Sequence, residues 1–285
     1  MSASLTSGVE VSIERLIELA AFAGLASSSS FAKSVVGSAS GPKLGDGGDI
    51  YDLRPFQDGD DPRQIDPGAS ARSGRPQLRS RHEQVDRTAL LVADFRSSMF
   101  WGTQGRLRSV AAAEALAVEG WQVVAGGGQV GCVTFRDDHF DNIAPKPREA
   151  AMLSVAGALA RSHDLALQEA LRANVETPTL DVILDRAIGF ARPGCDIVLA
   201  TGFDEPGDHF EAAARTLMRK CRLTILLVQD ALEIDPPEGV FSAKLGKSLK
   251  RGRLEASTSA KELAGFGIDV RVIPAADAID HGGLA

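Results

Sequence analysis

Residues 94–102 read DFRSSMFWG and follow the apolar run TALLVA. An Asp-x-Ser-x-Ser loop at the end of a β-strand is one way to hold a divalent cation. Mg²⁺ takes about six hard oxygen ligands near 2.1 Å, and carboxylates with hydroxyls supply them. Asp94 and Ser98 stand at the outer positions of that pattern, but Arg96 stands where the first hydroxyl belongs. A guanidinium there repels a cation, and it can instead clamp Asp94 in a bidentate ion pair. Two readings follow. Either Arg96 takes the place of the metal charge, or it points to solvent while Asp94 caps the next helix. We expect no cofactor; if Mg²⁺ does bind, Asp94 and Ser98 are its ligands.

Other reactive residues are less organised. His82, His139, His163, His209 and His281 show no metal-ligand spacing among themselves or with cysteine. No Gly-x-Ser-x-Gly elbow is present. Asp137 and Asp138 sit in a turn-like RDDHFDN. The GGG at 126–128 precedes a strand rather than a helix, so it reads as a helix stop and not a phosphate loop. Cys132, Cys195 and Cys221 each lie at or beside an apolar strand-like run, which favours buried reduced thiols over a disulfide pair. The cationic run AKLGKSLKRGRL (243–254) lacks interleaved aromatic residues and reads as a solvated loop.

The elements that position these residues follow from periodicity. Residues 9–25 place Ile13, Leu16, Ile17, Ala20 and Ala21 at helical spacing, an amphipathic helix to dock on its own domain or on a partner. A Ser- and Gly-rich linker follows, giving a first segment of 1–44. Residues 45–87 form a charged, turn-rich extension with strand candidates at 50–55 and 77–85. From 88 to 280, apolar strands at 88–94, 129–136, 195–201, 223–229 and 268–273 alternate with helical patterns, including one near 148–161. That alternation predicts an α/β fold, a doubly wound, mostly parallel sheet covered on both faces. Ligands bind at the carboxyl ends of strands in such sheets, where Asp94 falls.

Composition narrows the function. Acidic residues outnumber basic ones, 38 to 31, so no global positive field attracts nucleic acid. Charges interrupt the N-terminal apolar pattern, and no apolar stretch is long enough to span a bilayer, so we expect a cytoplasmic protein with no membrane insertion.

The ordered set Arg54, Phe56, Gly59, Asp60, Asp61, Arg63, Ile65, Asp66, Ala71, Arg72, Glu83, Asp94, Ser98, Met99 and Gly102 resembles the bacterial DUF58 family. The similarity continues through GGGQVGCVTF and through Asp230, Glu233, Pro237 and Gly239, covering roughly residues 45 to 275. Two positions depart from the family pattern: Pro67 stands in place of a Trp, and Thr201-Gly202-Phe203 in place of Ser-Asp-Phe, which removes a carboxylate.

The resemblance implies a von Willebrand A-like, Rossmann-like core with a small β-rich N-terminal insertion. It implies a non-enzymatic adaptor that works with a MoxR-type AAA+ ATPase in chaperone-like assembly of a client protein. Its binding loops would comprise Asp94, Arg96, Ser97, Ser98 and Met99, with Thr177 and Thr179 flanking a second loop and Thr201, Gly202 and Asp204 on a third. Arg54, Asp60, Asp61, Arg63, Asp66 and Arg72 would form an ion-pair network in the extension. The alternative is a Mg²⁺-dependent adhesion-type module that bridges to a partner carboxylate.

Overall fold

The computed structural model describes residues 8–22, 50–56, 65–81, 87–170, 177–245 and 248–277, with backbone alone at 50–54, 78–81, 243–245 and 248–250. Two compact units divide these residues: one lies within 29–86, and the other joins the N-terminal segment to everything from Arg87 onward.

In the larger unit, helix α1 (Ile13–Glu18) starts at Ser12, whose side chain accepts from the Arg15 N–H. The smaller unit holds β1 (Ile50–Pro55), α2 (Pro67–Ser73) and β2 (Gln77–Arg81). The two strands pair antiparallel, with a bulge between Ile50 and Asp52. The turn-rich composition gave no sign of α2, which the local chemistry explains. Asp66 caps it by accepting from Ala69 N at 2.8 Å, Pro67 sits where a missing N–H costs nothing, and Gly74 ends it at φ 67°.

The larger unit continues with β3 (Thr88–Asp94), α3 (Arg108–Ala125), β4 (Gln129–Phe135), β5 (Phe140–Pro147), α4 (Glu149–Ala170) and α5 (Leu180–Ile188). Then come β6 (Asp196–Thr201), α6 (Phe210–Met218), β7 (Arg222–Gln229) and α7 (Ala231–Ile234). The described chain finishes with β8 (Phe241–Leu245), β9 (Ser248–Gly252), α8 (Ser259–Gly265) and β10 (Asp269–Pro274). The central sheet runs β10-β7-β6-β3-β4-β5, parallel except for β5.

Alternate residues of the inner strands feed two cores. Leu91, Ala93 and Phe95 pack with α1, α3 and α4, whereas Leu90 and Val92 pack with α5, α6 and α8. Helices therefore cover both faces, and the inner strands read as continuous apolar runs.

Three expectations need correction. The segment read as a turn near 137–142 leads into β5, an antiparallel edge strand. Its two prolines and half-exposed pattern suit an edge, where no ladder bond is owed on the outer side. Helix α4 runs to Ala170, well past 161. The cationic 243–254 segment contributes to β8 and β9, which pair antiparallel, rather than forming an irregular loop.

Helix α1 is integral to the larger unit. Its buried face is Leu16, Leu19 and Phe22 rather than the expected Ile13, Leu16, Ile17, Ala20 and Ala21, since Ile13, Ile17 and Ala21 are exposed. The Trp121 indole N–H donates to the Leu16 carbonyl at 2.8 Å. Arg15 adds an ion pair to Glu114, a carboxylate of the enclosed helix α3. No described helix is long and apolar enough to cross a membrane.

Leu16→Ala removes a fully buried side chain and should cost about 2–5 kcal/mol in chemical denaturation. A loss below 0.5 kcal/mol, about the size of a surface substitution, would mean that α1 is detached in solution.

Candidate functional site

The order of the sheet reverses between β3 and β6, and in such sheets the crevice that binds ligands lies at the carboxyl ends of the strands on either side of that point. Asp94 closes β3 and Thr201 closes β6, and both are fully buried. Arg96 is not turned to solvent: its side chain is 0% exposed. It clamps Asp94 with Nε to Oδ1 at 2.9 Å and Nη2 to Oδ2 at 2.8 Å. The Arg96 backbone N–H adds a bond to Oδ1 at 3.1 Å, and the Thr201 hydroxyl donates to Oδ2 at 2.7 Å. Four donors thus occupy a carboxylate with about four acceptor positions.

The rest of the guanidinium ties the loops together. Nη1 donates to the Pro178 carbonyl at 2.7 Å and Nη2 to the Asp204 carbonyl at 2.9 Å. Burial on its own pushes the Asp94 carboxyl up. The Arg96 charge, its hydrogen bonds and that of Thr201 more than reverse this, leaving Asp94 below the ordinary carboxylate value.

A second arginine completes the site. Arg108 opens α3 and is 1% exposed; its Nη2 donates to Ser98 O at 2.6 Å and to Asp204 Oδ2 at 2.7 Å. Its Nη1 reaches Glu233, and the guanidinium lies 4.8 Å from the Trp101 ring centre. This arginine explains Gly202. A Cβ at that position would lie 2.6 Å from Arg108 Nη1 and 2.7 Å from Asp204 Oδ2. The space that a side chain at 202 would need is filled by guanidinium.

The loop after β6 is bent hard to make these contacts. Phe203 and Glu205 take φ of 63° and 49°, a region that non-glycine residues avoid at about 1–3 kcal/mol each. Burial of the Phe203 ring against Phe210, 5.1 Å away and edge-on, offsets part of that cost. Gly207, at φ 82°, closes the turn where a Cβ would strike the Asp181 carboxylate at 2.4 Å. Asp181 in turn accepts from the Thr179 hydroxyl, from Val182 N and from His209 N.

Most of the expected loop residues therefore converge. Asp94, Arg96, Thr201 and Asp204 are bonded to one another, and the Gly202 N–H meets Met99 Sδ at 3.1 Å. Ser97 lies exposed on the rim, its N–H held by Asp137 at 2.9 Å. The Ser98 hydroxyl is buried without a hydrogen-bond partner among the described residues. Thr179 serves Asp181 rather than Asp94, and Thr177 is half-buried before it.

In the extension, Asp60, Asp61 and Arg63 lie outside the described residues, as does the Arg54 side chain. Asp66 caps α2, and Arg72 is exposed in its last turn.

Sequence reading missed Arg108, Asp137 and His163 as parts of the site. It also missed Thr103, which donates to the buried Asp230 through its N–H at 2.7 Å and its hydroxyl at 2.5 Å. Asp230 with Glu233 forms a capping box on α7, a pattern that Asp-x-x-Glu does announce. His163 packs edge-on to Phe95 at 5.4 Å and bonds Ser109 at 3.0 Å, buttressing the strand-end loop from below. Among the described residues, one group brings potential metal-ligating atoms within 4.8 Å of one another, Asp138, His139 and Glu169. Its members are already engaged: Asp138 bonds His139, and Glu169 pairs with Arg136.

Fold and site define a mostly parallel α/β protein whose switch-point crevice holds a buried, interlocked polar cluster. The chain belongs to the DUF58 family, described as a protein of unknown function, whose profile matches residues 52–242. No curated protein matches the sequence.

Two outcomes are expected. Asp94→Asn leaves the Arg96 guanidinium buried without its counter-charge and should destabilise by about 3–5 kcal/mol, read by urea denaturation. Burial, opposed only in part by Asp164, pushes His163 down to about 4, so the unfolded chain binds the extra proton between about pH 4 and 6.5. Stability should be complete above 6.5 and fall by about 3 kcal/mol as pH drops toward 4. His163→Gln should flatten that slope; an unchanged slope would show that His163 is not buried neutral.

Proposed function

We propose that this chain is a non-enzymatic, cytoplasmic accessory protein that binds other proteins through the rim of the β3–β6 crevice without a metal ion. It works with an AAA+ ATPase of the MoxR type in the assembly of a client protein. The order of the sheet and the strand-end cluster support reading the core as von Willebrand A-like. Membership of the family supports the ATPase partnership by analogy.

The observation that carries the metal-free reading is the saturation of Asp94. Both oxygens are engaged by Arg96 and Thr201, and the Arg96 guanidinium supplies the positive charge on the spot. The residues present do not suit a hard dication. Mg²⁺ would have to displace a bidentate guanidinium, would find a glycine at 202, and would sit beside the second cation, Arg108. The rim offers a different surface, with exposed Ser97, the half-exposed Asp204 and Trp101, which is 37% exposed. An exposed Trp held over an arginine is the kind of aromatic anchor in which protein interfaces are enriched.

Calorimetric titration of the wild-type protein with Mg²⁺ and Mn²⁺ should show no saturable heat. The triple variant Arg96→Ser, Arg108→Ala, Gly202→Asp should bind, because it removes both guanidiniums and gives the new carboxylate room. Saturable micromolar binding by the wild type, abolished by Asp94→Ala, would overturn the metal-free reading and favour the adhesion-type mechanism. Co-purification of a co-expressed MoxR-type ATPase in the presence of a chelator, weakened at least tenfold by Trp101→Ala, is the expected result for the adaptor. No complex at micromolar concentrations would overturn it.

A further inference from the structure

At the opposite end of the sheet from the crevice, two cysteines face each other. Cys195 lies one residue before β6, and Cys221 one residue before β7. The two strands are parallel neighbours whose first pair is Asp196 with Arg222, and Arg222 N donates to Cys195 O at 3.1 Å. Neighbouring strands run about 4.7–4.9 Å apart, inside the Cα window of about 4.4–6.8 Å that a disulfide accepts. The sulfurs stand 3.4 Å apart, with the Cys195 thiol directed at Cys221 Sγ and the Cys221 thiol at the Arg192 carbonyl. Bonding distance is about 2.05 Å, a closure within reach of side-chain rotation alone.

We propose that Cys195 and Cys221 are a two-electron oxidation site, which closes to a reversible disulfide on exposure to hydrogen peroxide. Cys221, 7% exposed against 3% for Cys195, reacts first. Its sulfur attacks one peroxide oxygen; the S–O bond forms, the O–O bond breaks, and the leaving oxygen departs as water with the thiol proton. Cys195 sulfur then attacks the sulfenic sulfur; the S–S bond forms, the S–O bond breaks, and a second water leaves with the Cys195 proton. Two thiols and one peroxide give one disulfide and two waters, with sulfur oxidised and peroxide oxygen reduced.

The setting favours this pair over a lone buried thiol. Arg192, Pro193, Gly194, Lys220 and Arg222 beside it are all exposed, so a small oxidant reaches the pair from the amino-terminal ends of the strands. Burial, and then the bond to Cys221, push Cys195 up to about 12, so Cys195 rests as a thiol and reacts slowly. Cys132 lies inside β4, 1% exposed, and burial holds it up at about 12. It provides an internal control. The new bond staples the entry ends of β6 and β7, strands whose exit ends carry Thr201 and Asp230.

The full-length protein is treated with millimolar hydrogen peroxide, then denatured, alkylated and weighed intact. The expected result is the mass of the unmodified chain less about 2 Da plus a single alkyl adduct, against three adducts on the untreated protein. Peptide mapping should join the Cys195 and Cys221 peptides, dithiothreitol should restore all three thiols, and the oxidised form should melt about 5 °C or more higher. Cys195→Ser and Cys221→Ser should each lack the linked species, and Cys132→Ser should retain it. Three alkylatable thiols after treatment of the wild type, or oxygen adducts on separate cysteines with no linked peptide, would overturn the proposal. The wild-type measurement decides by itself should a variant fold poorly.

Discussion

A buried arginine–carboxylate pair is the constraint around which the strand ends are arranged. Removing Asp94 and Arg96 from water costs several kcal/mol per ion, and their attraction recovers it only when every remaining donor and acceptor is placed. The structure goes most of the way to that condition by bringing three loops to one guanidinium: the loop after β3, Pro178 before α5, and Asp204 after β6. The left-handed backbone at Phe203 and Glu205 belongs to the same arrangement, because it turns the Asp204 carbonyl toward Arg96 and its carboxylate toward Arg108. Local strain is tolerated where it completes a buried polar network.

The same logic recurs through the larger unit. Helix α3 is covered by α1 and α4 as well as by the sheet, so its acidic residues cannot stay wet. Glu114 is met by Arg106 and Arg15, and Glu119 by Arg271 at 2.6 Å. Replacing such pairs by apolar residues of equal volume is often neutral for stability, whereas deleting one partner is severe. Their contribution is thus to fix which elements meet, and it leaves the fold intolerant of half-measures.

The parallel strands were legible because they are buried on both faces and read as unbroken apolar runs. Strand β5 was not, since FDNIAPKP is an edge segment with one half-buried face and two prolines. Helix α2 is written in Asp66, Pro67 and Gly74, signals that a polar, turn-rich background concealed. Arg96 stood out because it interrupts a short local pattern. Arg108 did not: RLRSVAAA reads as an ordinary helix start, and its carboxylate partners lie 96 and 125 residues away. Gly202 looked like a simple loss of a carboxylate, and only the three-dimensional arrangement shows a second side chain in the volume it leaves. Contacts between distant strand ends are a property of topology, which local spacing does not encode.

Arg108 behind Gly202 also bears on how this chain can change over generations. A lone acidic substitution at 202 collides with a guanidinium, and a lone serine at 96 strands Asp94 in a dry environment. Each step toward a carboxylate-and-hydroxyl arrangement is harmful until the others have occurred. The crevice therefore acts as a ratchet: no single substitution among Arg96, Arg108 and Gly202 makes a carboxylate-and-hydroxyl site.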